Sequence, residues 1–100
     1  MEKSVAKKLP EIKALFIKYD VKEAFLFGSA ATEKFNSKSD IDFLYTFSDD
    51  LNYETYGLNY FNLLYDLENL LQKQVDLVSR KSLKNPYLIE SINESKIQLI

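Results

Sequence analysis

Apolar side chains recur at helical spacing in two long stretches of the chain. The first spans residues 5–19, where apolar positions follow one another at intervals of three and four. Pro10 lies within it and predicts a kink or a late helix start. The second spans residues 56–71, and Gly57 weakens its beginning slightly. Each pattern predicts an amphipathic helix with one face on a core.

Shorter segments carry the patterns of β-strands. Residues 40–47 alternate between two faces, one of them fully apolar, which predicts a strand packed on one side. Residues 22–27 end in an apolar run that stops at a glycine and predict a buried strand. Residues 75–79 and 96–100 predict two further strands.

The order of these elements predicts the fold class. Asn85 followed by Pro86 predicts a short helix through Ile92, because asparagine caps helices and proline suits their first turn. Residues 28–39 are polar and small, and predict a loop or a short helix with a loop. The resulting order is α–β–loop–β–α–β–α–β. It favours an α/β (α+β) fold, a small mixed β-sheet with helices covering mainly one side.

The size of the chain fits one domain, residues 1–100. A chain of 100 residues with 46% hydrophobic side chains can form one two-layer core. It cannot form a catalytic domain and a separate acceptor domain. An enzyme of this size would take part of its substrate site from another chain.

Composition restricts the chemistry further. The net charge is −2 and the pI about 5.1, which argues against extended nucleic-acid binding. The chain has no cysteine and no histidine, so a bound metal would take oxygen ligands, which suits magnesium, manganese or calcium. No apolar run approaches membrane-spanning length and no signal peptide is evident, so we expect a cytoplasmic protein without a membrane partner.

The predicted strand 40–47 carries two aspartates, separated by one residue. Residues two apart on a strand face the same way, so Asp40 and Asp42 project side by side. Adjacent carboxylates repel each other, and a divalent cation such as magnesium would supply the missing counter-charge.

A third aspartate, Asp76, lies on the predicted strand 75–79, with Val75 and Leu77 facing the core. If this strand lies beside the first, three carboxylates converge and can hold metal ions that clamp the attacking and leaving oxygens. Gly28-Ser29 ends the buried strand, where backbone N–H groups can bind phosphate.

These residues resemble the motifs of a known family. Residues 27–31 (Phe-Gly-Ser-Ala-Ala) and 39–44 (Ser-Asp-Ile-Asp-Phe-Leu) resemble the signature of the polymerase-β-like nucleotidyltransferases, especially the minimal nucleotidyltransferase (MNT) proteins. Val-Asp-Leu-Val at 75–78 resembles the third-carboxylate strand of that family, and residues 82–92 its closing helix. The resemblance covers nearly the whole chain.

The resemblance implies roles for five residues. Asp40 and Asp42 would bind magnesium and the nucleotide phosphates, and Asp76 would help activate the acceptor hydroxyl or hold a second metal. Gly28 and Ser29 would bind the triphosphate of ATP. MNT proteins typically pair as antitoxins with HEPN-domain toxins, so the implied activity is transfer of AMP from ATP to a toxin tyrosine. Both a homo-oligomer and a hetero-oligomer with the toxin stay open.

The sequence departs from the family at two positions. Many relatives carry Arg-Gly where this chain has Thr32 and Glu33. The change removes a positive charge and a flexible residue near the nucleotide, and leaves the preference for ATP over other nucleotides open.

Other interpretations of the same residues remain. An Asp-x-Asp pair and Asp76 could be solvated strand residues, Gly28 a turn glycine, and Ser29 a helix cap. The protein could also neutralise its partner by contact alone, as a binding module without catalysis. A third hypothesis, adenylylation of a small molecule, ranks last because such enzymes usually carry an additional helical domain.

Overall fold

The computed structural model describes residues 1–32 and 38–100. Within these residues, four helices and four strands follow one another in the predicted order, except that two helices stand where one was predicted at the start; a 3-10 helix, Gly28–Ala31, follows the first strand. The elements are α1 (Lys3–Lys7), α2 (Leu9–Lys18), β1 (Val21–Phe27), β2 (Ile41–Phe47), α3 (Tyr53–Leu71), β3 (Val75–Ser79), α4 (Pro86–Ser95) and β4 (Ile97–Gln98).

The four strands form one mixed sheet in the order β3-β2-β1-β4. Strand β1 runs antiparallel to β2 and to β4, whereas β2 and β3 run parallel. The parallel pair needs a crossover connection, and α3 supplies it. This architecture confirms the predicted fold class.

The helix boundaries show how local residues decide the ends of elements. The first predicted helix is two helices, α1 and α2, which meet at Lys8, with Pro10 in the first turn of α2. Helix α3 begins at Tyr53, earlier than its apolar pattern predicted, because the Asn52 side chain accepts a hydrogen bond from the Thr55 N–H and caps the helix.

Helices α2 and α3 cover one face of the sheet. Their buried residues pack on the core-facing side chains of the strands. Phe16 of α2 meets Phe43 of β2 edge to face, with ring centroids 5.4 Å apart, and both side chains are fully buried. This face corresponds to the apolar side that the alternation along β2 predicted.

Helix α4 packs on the opposite face of the sheet. Ile92 of α4 is buried there against Phe25, Phe27 and Leu44. The sequence placed Leu44 on the less apolar side of β2, yet only 3% of its surface is exposed. The helices therefore cover one face and part of the other. Among the described residues, no helix is both long and apolar enough to cross a bilayer.

Candidate active site

Two of the predicted aspartates are neighbours across the parallel strands. Asp42 of β2 pairs with Asp76 of β3 in the strand register. Val75 and Leu77 belong to the core under α2 and α3, so Asp76 faces the other way. Both carboxylates therefore lie on the sheet face that α4 only partly covers.

The third aspartate lies just before β2. Asp40 is exposed, while Asp42 is half-buried. Burial is the main reason that the pKa of Asp42 rises to about 6, and the negative charges of Asp76 and Asp40 raise it further. Asp42 is thus close enough to Asp76 and to Asp40 to be affected by the charge of each.

The three carboxylates are not gathered into a metal cage. Across residues 1–32 and 38–100, no group of three acidic side chains has the arrangement of a metal site. Asp40 and Asp76 are exposed and Asp42 is half-buried. The structure brings Asp42 and Asp76 into register and leaves Asp40 at the strand entrance.

Gly28 lies directly against Asp42. It follows Phe27, which is the antiparallel partner of Asp42 in β1, and its φ of 71° is in the left-handed region. A Cβ atom built on Gly28 would lie 2.4 Å from Oδ2 of Asp42. Only glycine combines this backbone conformation with space for the carboxylate.

An open cleft of about 540 Å³ begins at this glycine. One wall is the 3-10 helix with the residue after it, and the other is α4. The residues that line it are Gly28, Ser29, Ala31, Thr32, Ser91, Glu94 and Ser95. Gly28 and Ser29, predicted to contact the nucleotide, therefore belong to a cavity beside the carboxylates.

The α4 wall of the cleft was not predicted from the sequence. Glu94 and Ser95 follow Ser91 by three and four positions, so the three side chains share one face of α4. That spacing is visible in the sequence, but nothing in the sequence shows that this face turns toward Gly28.

The described part of the cleft lacks the positive charge that many relatives carry as Arg-Gly at the positions of Thr32 and Glu33. Glu94 is the single charged residue in the described lining, which contains no lysine or arginine. Thr32 lines the cleft, and its hydroxyl donates to the Ser29 carbonyl oxygen at 3.2 Å. Glu33 lies outside the described residues.

Sequence comparison assigns the family. Residues 10–100 match the family described as "Polymerase beta, Nucleotidyltransferase". The chain belongs to this family. The prediction of a nucleotidyltransferase enzyme is thereby confirmed, and the resemblance to the polymerase-β-like proteins with it.

Relatives and solved structures of this nucleotidyltransferase agree with the assignment. A candidate protein adenylyltransferase of Methanocaldococcus jannaschii is 42% identical over 85 residues, which are 85% of this chain and 83% of the relative. The solved structure of a candidate minimal nucleotidyltransferase superposes with a TM-score of 0.78 at 26% identity, covering 97% of this chain and 95% of the other.

A chain from a toxin–antitoxin complex shares the fold of this nucleotidyltransferase. The complex joins a tri-AMPylated HEPN toxin of Shewanella oneidensis to an MNT antitoxin. The TM-score is 0.66 at 23% identity, and the match covers 95% of this chain and 71% of the other. At this identity the likeness concerns the fold alone.

Proposed function

We propose that this protein is a magnesium-dependent adenylyltransferase that moves AMP from ATP onto a hydroxyl, most simply a tyrosine, of a HEPN-type toxin. It would act as the antitoxin of that partner from a single minimal domain, residues 1–100. The observation that carries the proposal is the pairing of Asp42 with Asp76 on adjacent strands, with Gly28 against Asp42.

The donor atoms of the three aspartates, though not yet gathered around one point, suit a magnesium ion. Asp40, Asp42 and Asp76 offer only carboxylate oxygens, the ligands that magnesium prefers. Burial is the main cause of the raised pKa of Asp42, and repulsion by the negative charges of Asp76 and Asp40 adds to it. A divalent cation would relieve that repulsion, and Asp40, Asp42 and Asp76 would hold it. When bound, the metal would neutralise charge on the phosphates during transfer.

The transfer itself is a substitution at the α-phosphorus of ATP. The acceptor oxygen forms a bond to this phosphorus while the bond to the β-phosphate oxygen breaks, and pyrophosphate leaves. The hydroxyl proton goes to a carboxylate, and Asp76 is suited to take it because it is exposed beside Asp42.

The cleft beside Gly28 would hold the triphosphate. Gly28 and Ser29 form its edge nearest to Asp42, so a phosphate chain held there would present its α-phosphate to the carboxylates. Lacking a side chain, Gly28 lets the phosphates approach the backbone closely, and the Ser29 hydroxyl can donate one hydrogen bond.

Relatives support the choice of donor and partner. A relative that shares 42% of its aligned residues is named as a candidate protein adenylyltransferase, and a chain with the same fold comes from a complex with an AMPylated HEPN toxin. We extend the partner and its modification to this chain, and with them a hetero-oligomer of enzyme and toxin. ATP and such a toxin would meet in the cytoplasm.

The test is label transfer from ATP to the partner. The protein is incubated with magnesium, ATP labelled at the α-phosphate, and the product of the neighbouring toxin gene. We expect label on the partner with the parent protein and loss of label with Asp42→Asn and Asp76→Asn. Asp50→Asn is the control, because Asp50 is an exposed loop residue whose carboxylate accepts a hydrogen bond from the Ser48 hydroxyl.

Two results would contradict the proposal. Equal labelling by the parent and by Asp42→Asn would remove the carboxylates from the mechanism. Neutralisation of the toxin by Asp42→Asn as complete as by the parent, without label on the toxin, would identify a non-catalytic binding module instead.

A further inference from the structure

A second, smaller cavity lies between α4 and the sheet. Its volume is about 140 Å³. It is separate from the cleft at Gly28, because the two share no lining residue. The residues around it are Leu44, Arg80, Leu83, Ile89, Ile92, Asn93 and Lys96.

The cavity has an apolar floor and a cationic rim. Leu44 and Ile92 are buried at its base, with 3% and 2% of their surfaces exposed. Arg80 and Asn93 are exposed and Lys96 is half-buried, so these three lining residues form its rim. This combination suits a group with an apolar body and a negative charge beside it.

The two rim cations differ in their partners among the described residues. Arg80 forms an ion pair with Glu23, and its guanidinium lies 5.8 Å from the ring centroid of Phe25. The Lys96 ammonium lies 4.7 Å from the same ring. Within residues 1–32 and 38–100, no carboxylate lies within ion-pair distance of Lys96. A ligand carboxylate would therefore meet an uncompensated positive charge.

The volume decides what kind of ligand fits. Sites for drug-sized molecules and cofactors measure about 300–1,000 Å³, whereas a cavity of roughly 150 Å³ holds a molecule the size of benzene. At about 140 Å³, this cavity has room for one apolar side chain. A polypeptide that inserts one residue fits better than a free metabolite.

The cavity is next to the proposed catalytic carboxylates. Its floor residue Leu44 follows Asp42 by two positions on the same face of β2, which places their Cα atoms about 7 Å apart. An extended peptide covers that distance in about two residues. A peptide anchored over Leu44 could therefore present a hydroxyl to Asp42 and Asp76.

We propose that this cavity anchors the acceptor polypeptide by taking one apolar side chain, with an adjacent acidic residue at Arg80 and Lys96. The anchor would lie two to four residues from the modified hydroxyl. The role of this cavity in AMP transfer rests on the proposed function. Binding of the peptide can be measured without any transfer, so the two can fail separately.

The binding test uses a hexapeptide. Its four central residues are, in order, tyrosine, a spacer residue, leucine and aspartate. Binding to the isotope-labelled protein is followed by NMR. We expect shifts of the Leu83, Ile89 and Asn93 signals, and at least a tenfold weaker effect when the leucine is replaced by glycine. Asn93→Trp, which fills the cavity, should weaken binding at least tenfold, whereas Asn93→Ala should preserve it.

A charge exchange keeps the inference testable if Asn93→Trp disturbs the fold. Lys96→Glu should weaken binding of the aspartate peptide and favour a peptide with lysine at that position. Lys84→Glu is the matched control, since Lys84 is exposed and does not line the cavity. In transfer assays, Asn93→Trp and Lys96→Glu should raise KM for the peptide at least tenfold and leave binding of an ATP analogue unchanged.

The outcomes separate the two proposals. Peptide shifts at the cavity with no AMP transfer would support the anchor and overturn the proposed reaction. Three results would overturn the anchor. The peptide could cause no shifts, or shifts confined to the Gly28 cleft, or free phenylacetate could saturate the cavity while the peptide does not bind there.

Discussion

A methyl group on Gly28 would lie 2.4 Å from Oδ2 of Asp42. The glycine that directly follows β1 and the aspartate near the start of β2 therefore fit each other closely. The positive φ of Gly28, 71°, adds a second reason for glycine at this position. The Gly-Ser and Asp-x-Asp motifs, well separated in sequence, thus form one structural unit.

Gly28→Ala should impair transfer far more than folding. The new methyl group must displace the Asp42 carboxylate, and a misplaced catalytic group can cost on the order of a hundredfold in rate. The strained φ should lower the free energy of unfolding by about 1 kcal/mol. Label transfer and chemical denaturation measure the two effects.

Gly57→Ala is the matched control for that substitution. Gly57 lies within α3, and a Cβ built on it meets nothing within 4 Å. Alanine should stabilise the helix by about 0.5–1 kcal/mol and leave transfer unchanged. If both glycine variants lost transfer equally, the contact with Asp42 would not explain the loss.

The stability of the metal-free protein should fall as pH rises toward neutrality. Asp42 has a folded-state pKa of about 6 against 3.8 for the ordinary carboxyl. Between these values the folded state binds more protons than the unfolded state, so stability decreases across this window as pH rises. Thermal unfolding in a chelator should show Asp42→Asn more stable than the parent at about pH 7.5, with a smaller gain at about pH 4.5.

Asp49→Asn should behave in the opposite sense. Hydrogen bonds from Lys22 and Lys81 lower the pKa of Asp49, so its ionised form favours folding above the ordinary carboxyl pKa. The substitution should not stabilise the protein at neutral pH. A gain equal to that of Asp42→Asn would indicate a general charge effect rather than repulsion at the site.

The contact between α2 and the sheet should dominate stability. Phe16 is fully buried against Phe43, so Phe16→Ala should lower the free energy of unfolding by about 3–5 kcal/mol. Its neighbour Ile17 is 66% exposed, and Ile17→Ala should change stability by less than about 0.5 kcal/mol. Urea denaturation of both variants measures the difference.

The start of α4 should depend on one side chain. The Asn85 side chain accepts hydrogen bonds from the N–H groups of Tyr87 and Leu88, at 3.0 and 3.3 Å. Asn85→Ala should therefore cost about 1 kcal/mol, whereas Asn85→Ser should keep most of the cap. Thermal unfolding should separate the two by about 5 °C in a domain of this size. Equal melting temperatures would exclude the cap as a source of stability.

Local patterns predicted most of the elements because their causes are local. The strand Val75–Ser79 has the predicted bounds, and α4 begins after the predicted Asn85 cap. The start of α3 at Tyr53 was missed because its cap, Asn52, precedes the apolar pattern. A single polar residue set that boundary.

The second face of the sheet was harder to predict. Alternation along β2 marks the core face, but Leu44 and Phe25 are buried on the opposite face under α4. The apolar run at the end of β1 was a signal that both faces of this strand are covered. The pairing of Asp42 with Asp76 depends on strand order and register. The sequence alone predicts neither, so the meeting of the carboxylates could be predicted only on the assumption that the two strands are neighbours.

The proposed function depends on a divalent metal held by Asp40, Asp42 and Asp76 beside a nucleotide. Binding of Mn²⁺ in the presence of a nonhydrolysable ATP analogue, followed by electron paramagnetic resonance, tests it most directly. The parent protein should bind Mn²⁺ saturably, Asp42→Asn and Asp76→Asn should bind it at least about tenfold more weakly, and Asp50→Asn should bind it as the parent does. Equal Mn²⁺ affinity in all four proteins would contradict it.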